Sequence, residues 1–252
     1  IGAANIAKQQ VIPAIRQTTN NEITAIASHS GKAEALAQQF HIPNIFHSYE
    51  ALLESPNVDA VYIALPNAHH KQWALAAIQA NKHVLCEKPI ANTMTGLNLL
   101  RRAQREYPDR IFAGVFQHRY NPVFKLFRQL VIDGKFGRLL TASMQHRCLR
   151  SEAYYNADFW RGTRKYERGG VLINQAIHYL DLFQWIMGGV KEVNAFSGNL
   201  THEGIIETED TIAGSVLFKN GAFGTIEATN SARQSWDTQL QITGSDGYVY
   251  TK

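Results

Sequence analysis

Three groups of residues in this chain have the types and spacing that chemistry on an alcohol or a carbonyl requires. Asn174 and His178 stand four apart in an apolar run, so on one helix they face the same way. An imidazole there can take a hydroxyl proton near neutral pH. Lys88 follows His83-Val84-Leu85-Cys86-Glu87, a short apolar run ending in charge. Its ammonium can stabilise a developing alkoxide and relay the proton. At the head of the chain, Gly2-Ala3-Ala4-Asn5-Ile6-Ala7 has the spacing of a dinucleotide fingerprint, with alanine at the second glycine position. Small residues such as Gly2 and Ala4 let the backbone approach a pyrophosphate, and the helix opening at Asn5-Ile6 offers N–H donors. Each group also has a plainer reading: His178 as a core histidine, Glu87-Lys88 as a solvated turn, and Gly2–Ala7 as the start of an apolar helix.

The surrounding pattern must position these residues. From Glu22 to Phe116, apolar runs alternate with helical stretches. Strands are expected at 22–27, 58–65, 83–86 and 111–116, and helices at 32–40, 70–81 and 95–106. That alternation predicts βαβ units around a parallel, doubly wound sheet, whose ligands sit beyond the carboxyl ends of the strands. Glu87 and Lys88 fall at such an end. After Phe116 the rhythm changes. Asn121-Pro122 caps a helix that Gly134 ends, a strand is expected over 139–149, and a helix over 172–187. Five alternating segments follow, two of them joined by Asn220-Gly221, which argues for a mainly antiparallel sheet with one open face. The expected organisation is an α/β dinucleotide-binding domain over residues 1–117 and an α+β domain over 118–252.

Composition narrows the class. Of 252 residues, 45% are hydrophobic and 18% charged, an ordinary globular balance. The net charge of +4 is scattered, without the dense basic stripe of a nucleic-acid binder. No apolar run is long enough to cross a bilayer, and there is no signal-peptide pattern. Cys86 and Cys148 form no disulfide framework, and no cluster has metal-ligand spacing. A cytoplasmic setting without nucleic acid, membrane or metal is expected. The chain opens on Ile1 rather than methionine, so a piece of a longer protein is expected.

Ser28-His29-Ser30 and Lys32 follow the second strand, where NAD-type sites place a carboxylate for the ribose hydroxyl. Two hydroxyls, a histidine and a lysine accommodate a 2′-phosphate instead, so NADP is preferred over NAD; a loop indifferent to the ribose is the alternative. The stretch from Tyr154 to Arg168 mixes aromatics and arginines, which suits a sugar or anionic substrate by stacking and bidentate bonding. It suits equally a surface loop pinned by its aromatics. Arg119 can reach substrate or form a structural salt bridge. Asp181, three beyond His178, serves packing or orients a neighbour.

The order of these pieces resembles the Gfo/Idh/MocA family of NAD(P)-dependent oxidoreductases. The matching motifs are Gly2–Ala7, Leu65-Pro66-Asn67-Ala68-His69-His70, His83–Pro89, Gln117–Pro122 and Gly169–Asp181, spread over most of the chain. The resemblance implies a Rossmann domain followed by an open-sheet domain that packs in a homodimer or homotetramer. It implies that Lys88 and His178 lie at the nicotinamide, that Leu65, Pro66, Asn67 and His70 adjoin the cofactor, and that Tyr155 and Arg161 lie near substrate. Many members carry aspartate where this chain has Asn174, which cannot hold a charge but can bond substrate or His178. Members with asparagine there are often sugar or sugar-nucleotide dehydrogenases. Against the family the chain is short at both ends, and a first strand and a final segment are expected to be absent. The implied activity is hydride transfer between a nicotinamide and a secondary alcohol of a sugar, sugar derivative, polyol or cyclic diol. A non-catalytic NADP-binding regulator and a redox-cycling, glycosidase-like enzyme of the family are the alternatives.

Overall fold

The apolar runs of the N-terminal half form parallel strands. A computed structural model describes residues 1–233 and 237–251. The chain divides into two units, residues 1–115 and 116–252. In the first, β1 (Ala25–Ala27) pairs in parallel with β2 (Asn44–Phe46). The strands β3 (Ala60–Ile63), β4 (His83–Cys86) and β5 (Phe112–Gly114) form a second parallel set in that order. Ile1 and Gly2 join the two sets. Ile1 N donates to Tyr62 O at 2.8 Å, and Ala64 N donates to Ile1 O at 2.9 Å. Gly2 N donates to Ala27 O at 2.9 Å.

Both faces of this sheet are covered, as wholly apolar strands require. Ile26 and Ala64 pack with Ala7, Ile12 and Leu36 on one side. Ala27 and Ile63 pack with Leu52, Trp73, Ile78 and Leu100 on the other. The covering helices are α1 (Ile12–Arg16), entered through a π-helical turn at Ala7–Val11, then α2 (Ala33–Phe40) and α3 (Tyr49–Glu54). α4 (Asn67–Gln79) and α5 (Met94–Glu106) complete the set. Local chemistry sets their starts: Pro66 precedes α4, and the Thr93 hydroxyl caps α5 by accepting from Gly96 N at 3.0 Å. The pattern 70–81 therefore begins three residues too late. The segments β2 and α3 were not expected; Ile45 of β2 is exposed, so its run lacks the buried signature of its neighbours.

In the second unit, α6 (Pro122–Ile132) starts as its sequence dictates, with Asn121 Oδ1 accepting from Val123 N at 2.9 Å. The helices α7 (Glu152–Asn156), α8 (Val171–Asn174) and α9 (Ile177–Met187) follow β6 (Leu139–Arg147). The sheet is completed by β7 (Val190–Gly198), β8 (Thr211–Phe218), β9 (Phe223–Thr229), β10 (Asp237–Gly244) and β11 (Tyr248–Tyr250). Its order is β11-β10-β6-β9-β8-β7, antiparallel throughout except for the β6–β9 pair. Met144, Ile226, Leu240 and Ile242 on one face bury against Phe124 and Phe127 of α6 and Phe183 and Met187 of α9. The other face carries threonine, serine and glutamine, with Phe223, Tyr248 and Tyr250 exposed. The turn at Asn220-Gly221 closes β8 onto β9 with Gly221 at φ +87.

Candidate functional site

Within the first unit, the residues expected at the cofactor all follow the carboxyl ends of parallel strands. Gly2 follows the short extended piece at Ile1, Ser28–Lys32 follow β1, Leu65–Asn67 follow β3, and Glu87-Lys88 follow β4. That edge is where an open α/β sheet receives ligands. Gly2 has φ +90, and a Cβ there would stand 2.3 Å from Ala64 O. Only glycine lets the backbone turn so close to β3. Asn5 and Ile6 are exposed at the start of the helical segment, and Ala4 is half-buried. In the loop after β1, Ser28 and Ser30 share a hydroxyl–hydroxyl bond of 2.8 Å, and Ser30 N donates to Ser28 Oγ at 3.2 Å. His29 packs its ring edge-on against Tyr49 at 4.1 Å, and Lys32 is exposed. No carboxylate stands in this loop. A close-approach glycine, a helix start and hydroxyl donors fit a dinucleotide.

His70, expected to adjoin the cofactor, ties together two loops of that edge. It is buried, with Nδ1 at 2.7 Å from Pro89 O and Nε2 at 2.7 Å from Leu65 O. Both ring nitrogens are used in tying the loop after β3 to the loop after β4. Burial holds its pKa below the ordinary histidine value, against the pull of those two carbonyls and Glu87. The neutral ring donates to only one carbonyl, so the contact is a compromise between solvation and hydrogen bonding. Glu87 Oε1 accepts from Tyr62 OH at 2.7 Å, which with burial drives the tyrosine pKa upward. Glu87 thereby anchors the start of the Glu87-Lys88 turn, and the Lys88–Pro89 peptide is cis.

In the second unit, Asn174 and His178 do not share one continuous helix as expected. The helical run breaks at Gln175-Ala176, leaving Asn174 at the end of α8 and His178 near the start of α9. The break has a tertiary cause. Gln175 Nε2 donates to Tyr154 OH at 3.1 Å, and its Oε1 accepts from Asn230 Nδ2 at 3.3 Å. Asn230 Nδ2 also donates to Tyr155 OH at 2.9 Å. Asn174 Nδ2 donates to Oε1 of Glu167, a carboxylate that is 1% exposed and also accepts from Gly162 N. Gly170, just before α8, has room for no side chain, since a Cβ would stand 1.7 Å from Glu209 O.

The stretch 151–170 is thus held by its own aromatics and charges, the pinned-loop alternative. Tyr155 is 5% exposed, its hydroxyl taken by Asn230 and its pKa pushed up to about 12, chiefly by burial. Arg161 Nε donates to Asp158 Oδ2 at 2.8 Å, and another of its N–H groups donates to Tyr154 OH. The guanidinium stacks on Tyr154 and Trp160. Tyr155 and Arg161, the two residues expected near substrate, make these internal contacts. Arg119 takes the salt-bridge alternative. Its Nε and a terminal nitrogen each bond Asp181 at 2.6 Å, and it stacks over Trp185. His178 itself sits among rings, with His118 at 5.4 Å and Phe116 at 6.3 Å between centroids. Burial lowers the His118 pKa. The sequence reading missed His118 and Glu167; nothing local marks a histidine in a 3-10 turn or a glutamate in a polar loop.

A parallel sheet with a dinucleotide-type edge, followed by a unit presenting a histidine on a helix over a mainly antiparallel sheet, defines a two-unit nicotinamide oxidoreductase. Comparison with known proteins gives the family. Residues 1–115 match the oxidoreductase family model with NAD-binding Rossmann fold, and residues 124–250 match the GFO/IDH/MocA C-terminal domain. The chain belongs to the Gfo/Idh/MocA family. It is 29% identical to 1,5-anhydro-D-fructose reductase of Ensifer adhaerens, covering 98% of this chain and 73% of that one. It is 27% identical to myo-inositol 2-dehydrogenase of Thermotoga maritima, over 85% of this chain and 63% of the relative. Among solved structures, the WlbA dehydrogenase of Bordetella pertussis, in complex with NADH and UDP-GlcNAcA, superposes with a TM-score of 0.92 at 30% identity. The match covers 99% of this chain and 75% of that one. Among the described residues, no helix is long and apolar enough to cross a membrane.

Proposed function

We propose that this chain interconverts a secondary alcohol and its carbonyl on a sugar, sugar derivative, polyol or cyclic diol, using NADP in preference to NAD. The observation that carries the reading is the gathering of Gly2, Ser28–Lys32, Leu65–Asn67 and Glu87-Lys88 at one carboxyl edge of the parallel sheet. The names of the relatives, a reductase of an anhydro-sugar and a dehydrogenase of an inositol, support the substrate class. Gly2, Ala4 and the N–H groups from Asn5 and Ile6 would hold the pyrophosphate, while Ser28, His29, Ser30 and Lys32 receive the ribose side. The bound nicotinamide supplies the hydride acceptor or donor.

The chain's own groups manage the proton. In the oxidative direction His178 takes the hydroxyl proton, Lys88 stabilises the charge building on oxygen, and Asn174 positions the hydroxyl. His178 is half-buried, with its ring edge-on to Phe116 and His118. The open face of the second unit's sheet serves as a contact between copies, giving a dimer or tetramer. The free, buried Cys86 and Cys148 accord with a reducing, cytoplasmic setting. Lys88→Met and His178→Ala should each lower kcat about 10²–10⁴-fold, the usual weight of a positioned acid–base group, with the thermal midpoint within a few degrees of wild type. Reduction of NADP⁺ and NAD⁺, followed at 340 nm with D-glucose, D-xylose, 1,5-anhydro-D-sorbitol and myo-inositol, tests this. Unchanged turnover in both variants overturns the mechanism, and absence of any cofactor reduction by the unaltered chain across the panel overturns the activity.

A further inference from the structure

A cavity of about 440 Å³ lies wholly within the second unit, lined by Arg164, Arg168, Ser197, Glu207, Thr208 and Glu209 among others. Its size is that of a small-molecule site, and none of these six residues has a part in the reaction proposed above. Its walls are held in place. Arg164 N donates to Glu207 Oε2 at 2.8 Å, and Arg164 Nε donates to Glu207 O at 3.0 Å. Glu209 Oε1 accepts from Gly170 N at 2.8 Å and from Leu172 N at 3.4 Å, at the entry to α8. Thr208 Oγ1 donates to Gly162 O at 3.4 Å. These bonds use one guanidinium nitrogen of Arg164 and one oxygen of each carboxylate. Among the described residues, neither guanidinium forms an ion pair with either carboxylate. Arg168 stands at φ +66, a left-handed backbone conformation that glycine adopts freely and arginine only at a cost. Strain of this kind gathers at functional sites. Among the described residues, the Arg168 guanidinium bonds no partner, so no hydrogen bond or ion pair of the fold calls for arginine there.

We propose that this cavity binds a neutral polyhydroxylated ligand, a saccharide or cyclitol, with Arg164 and Arg168 donating to its oxygens and Glu207 and Glu209 accepting from its hydroxyls. Two guanidiniums and two carboxylates leave the lining without net charge. An inorganic anion entering it meets the carboxylates, and a cation meets the guanidiniums. A hydroxyl suits both, because it accepts and donates at once, and its bonds to charged partners are the stronger kind. Among the described residues, no aromatic ring lines the cavity, so recognition rests on these hydrogen bonds rather than on stacking. The site needs neither cofactor nor turnover, and it stands or falls apart from the hydride-transfer reading.

Titration of the full chain with myo-inositol, D-glucose and inorganic phosphate, without cofactor, tests this. The readouts are the NMR signals of the arginine Nε–Hε groups and the thermal midpoint. The Arg164 and Arg168 signals are identified by their absence from Arg164→Gln and Arg168→Gly. In the wild type both should move saturably with at least one of the two polyols and stay in place with phosphate. Arg168→Gly and Arg164→Gln should each weaken that binding about tenfold or more, the weight of a hydrogen bond to a charged group. The thermal midpoint of Arg168→Gly should stay at or above that of the wild type, since glycine takes φ +66 without strain. Absence of a saturable shift with either polyol overturns the proposal. Phosphate moving the same signals at lower concentration than the polyols overturns the ligand class. A midpoint several degrees below wild type in Arg168→Gly would make Arg168 a structural residue and overturn its assignment to the ligand. Absence of turnover across the substrate panel leaves this titration untouched, so the two readings fail separately.

Discussion

His146 shows how much one buried side chain can depend on pH. It is 1% exposed on β6, stacks on Tyr179 at 5.8 Å and meets Thr238 Oγ1 at 2.9 Å through Nδ1. Burial, aided by Arg150, lowers its pKa from 6.5 to about 4. A histidine whose folded pKa lies below its unfolded value is protonated first in the unfolded chain. Its contribution to stability is therefore complete above about pH 6.5 and drains away as pH falls toward 4. His146→Gln keeps a partner for Thr238 and cannot titrate. Between pH 7 and pH 4.5 the wild type should lose on the order of 1–2 kcal/mol more than the variant by this linkage. Urea midpoints at the two pH values measure it, and parallel losses in the two proteins would show that His146 does not titrate there.

At the scale of elements, the proposed preference for NADP is tested in the loop between β1 and α2. Ser28 Oγ and Ser30 Oγ already hold each other at 2.8 Å, so the loop presents hydroxyls in a fixed arrangement and no carboxylate. NADP⁺ should show the higher kcat/KM. Ser30→Asp places a negative charge where a 2′-phosphate would sit and can accept from a ribose hydroxyl. The NADP⁺-to-NAD⁺ ratio of kcat/KM should fall about tenfold or more, equivalent to ~1.4 kcal/mol. An unchanged ratio would mean the ribose lies elsewhere. Much of this edge was legible because the strand and helix periods differ and the motifs follow strand ends directly. Asn121-Pro122 and Asn220-Gly221 were legible for the same reason: each acts on its own neighbours. The break after Asn174 was not, since Gln175 and Ala176 are ordinary helix residues. Its cause is a set of hydrogen bonds from Tyr154 and Asn230, residues 21 and 55 positions away from Gln175. The short α7 was hidden likewise: Ser151 caps it, but the aromatic run Tyr154-Tyr155 reads as irregular. Tyr155 and Arg161 had the composition of a substrate site, and only the tertiary partners show where their donors go.

For the molecule as a whole, the second unit's sheet sets the next expectation. Register places Tyr248, Thr243, Thr141, Phe223 and Leu217 in one row across the strands of its uncovered face. Tyr250, Gln241, Ser143, Thr225 and Ser215 form the next row. Phe223 is 66% exposed and Tyr250 57%. Aromatics at intervals on a flat bed of short polar side chains make a surface with few charges to desolvate, a composition found at interface cores. The Arg147–Glu227 pair at 2.7 Å settles two charges within the same face. Six strands offer room for an interface of the standard ~800 Å² per partner. The chain should sediment as a dimer or tetramer at micromolar concentration. Phe223→Glu with Tyr250→Glu would bury like charges against their symmetry mates and remove two anchors, each worth about 2 kcal/mol if central. That double variant should shift the assembly toward monomer by a hundredfold or more in Kd, about 2.7 kcal/mol at least, while far-UV circular dichroism stays unchanged. Sedimentation equilibrium on both proteins decides it: a wild-type chain that stays monomeric at micromolar concentration would mean that this face joins no copies, and a double variant that still assembles as the wild type does would mean that copies meet through some other surface.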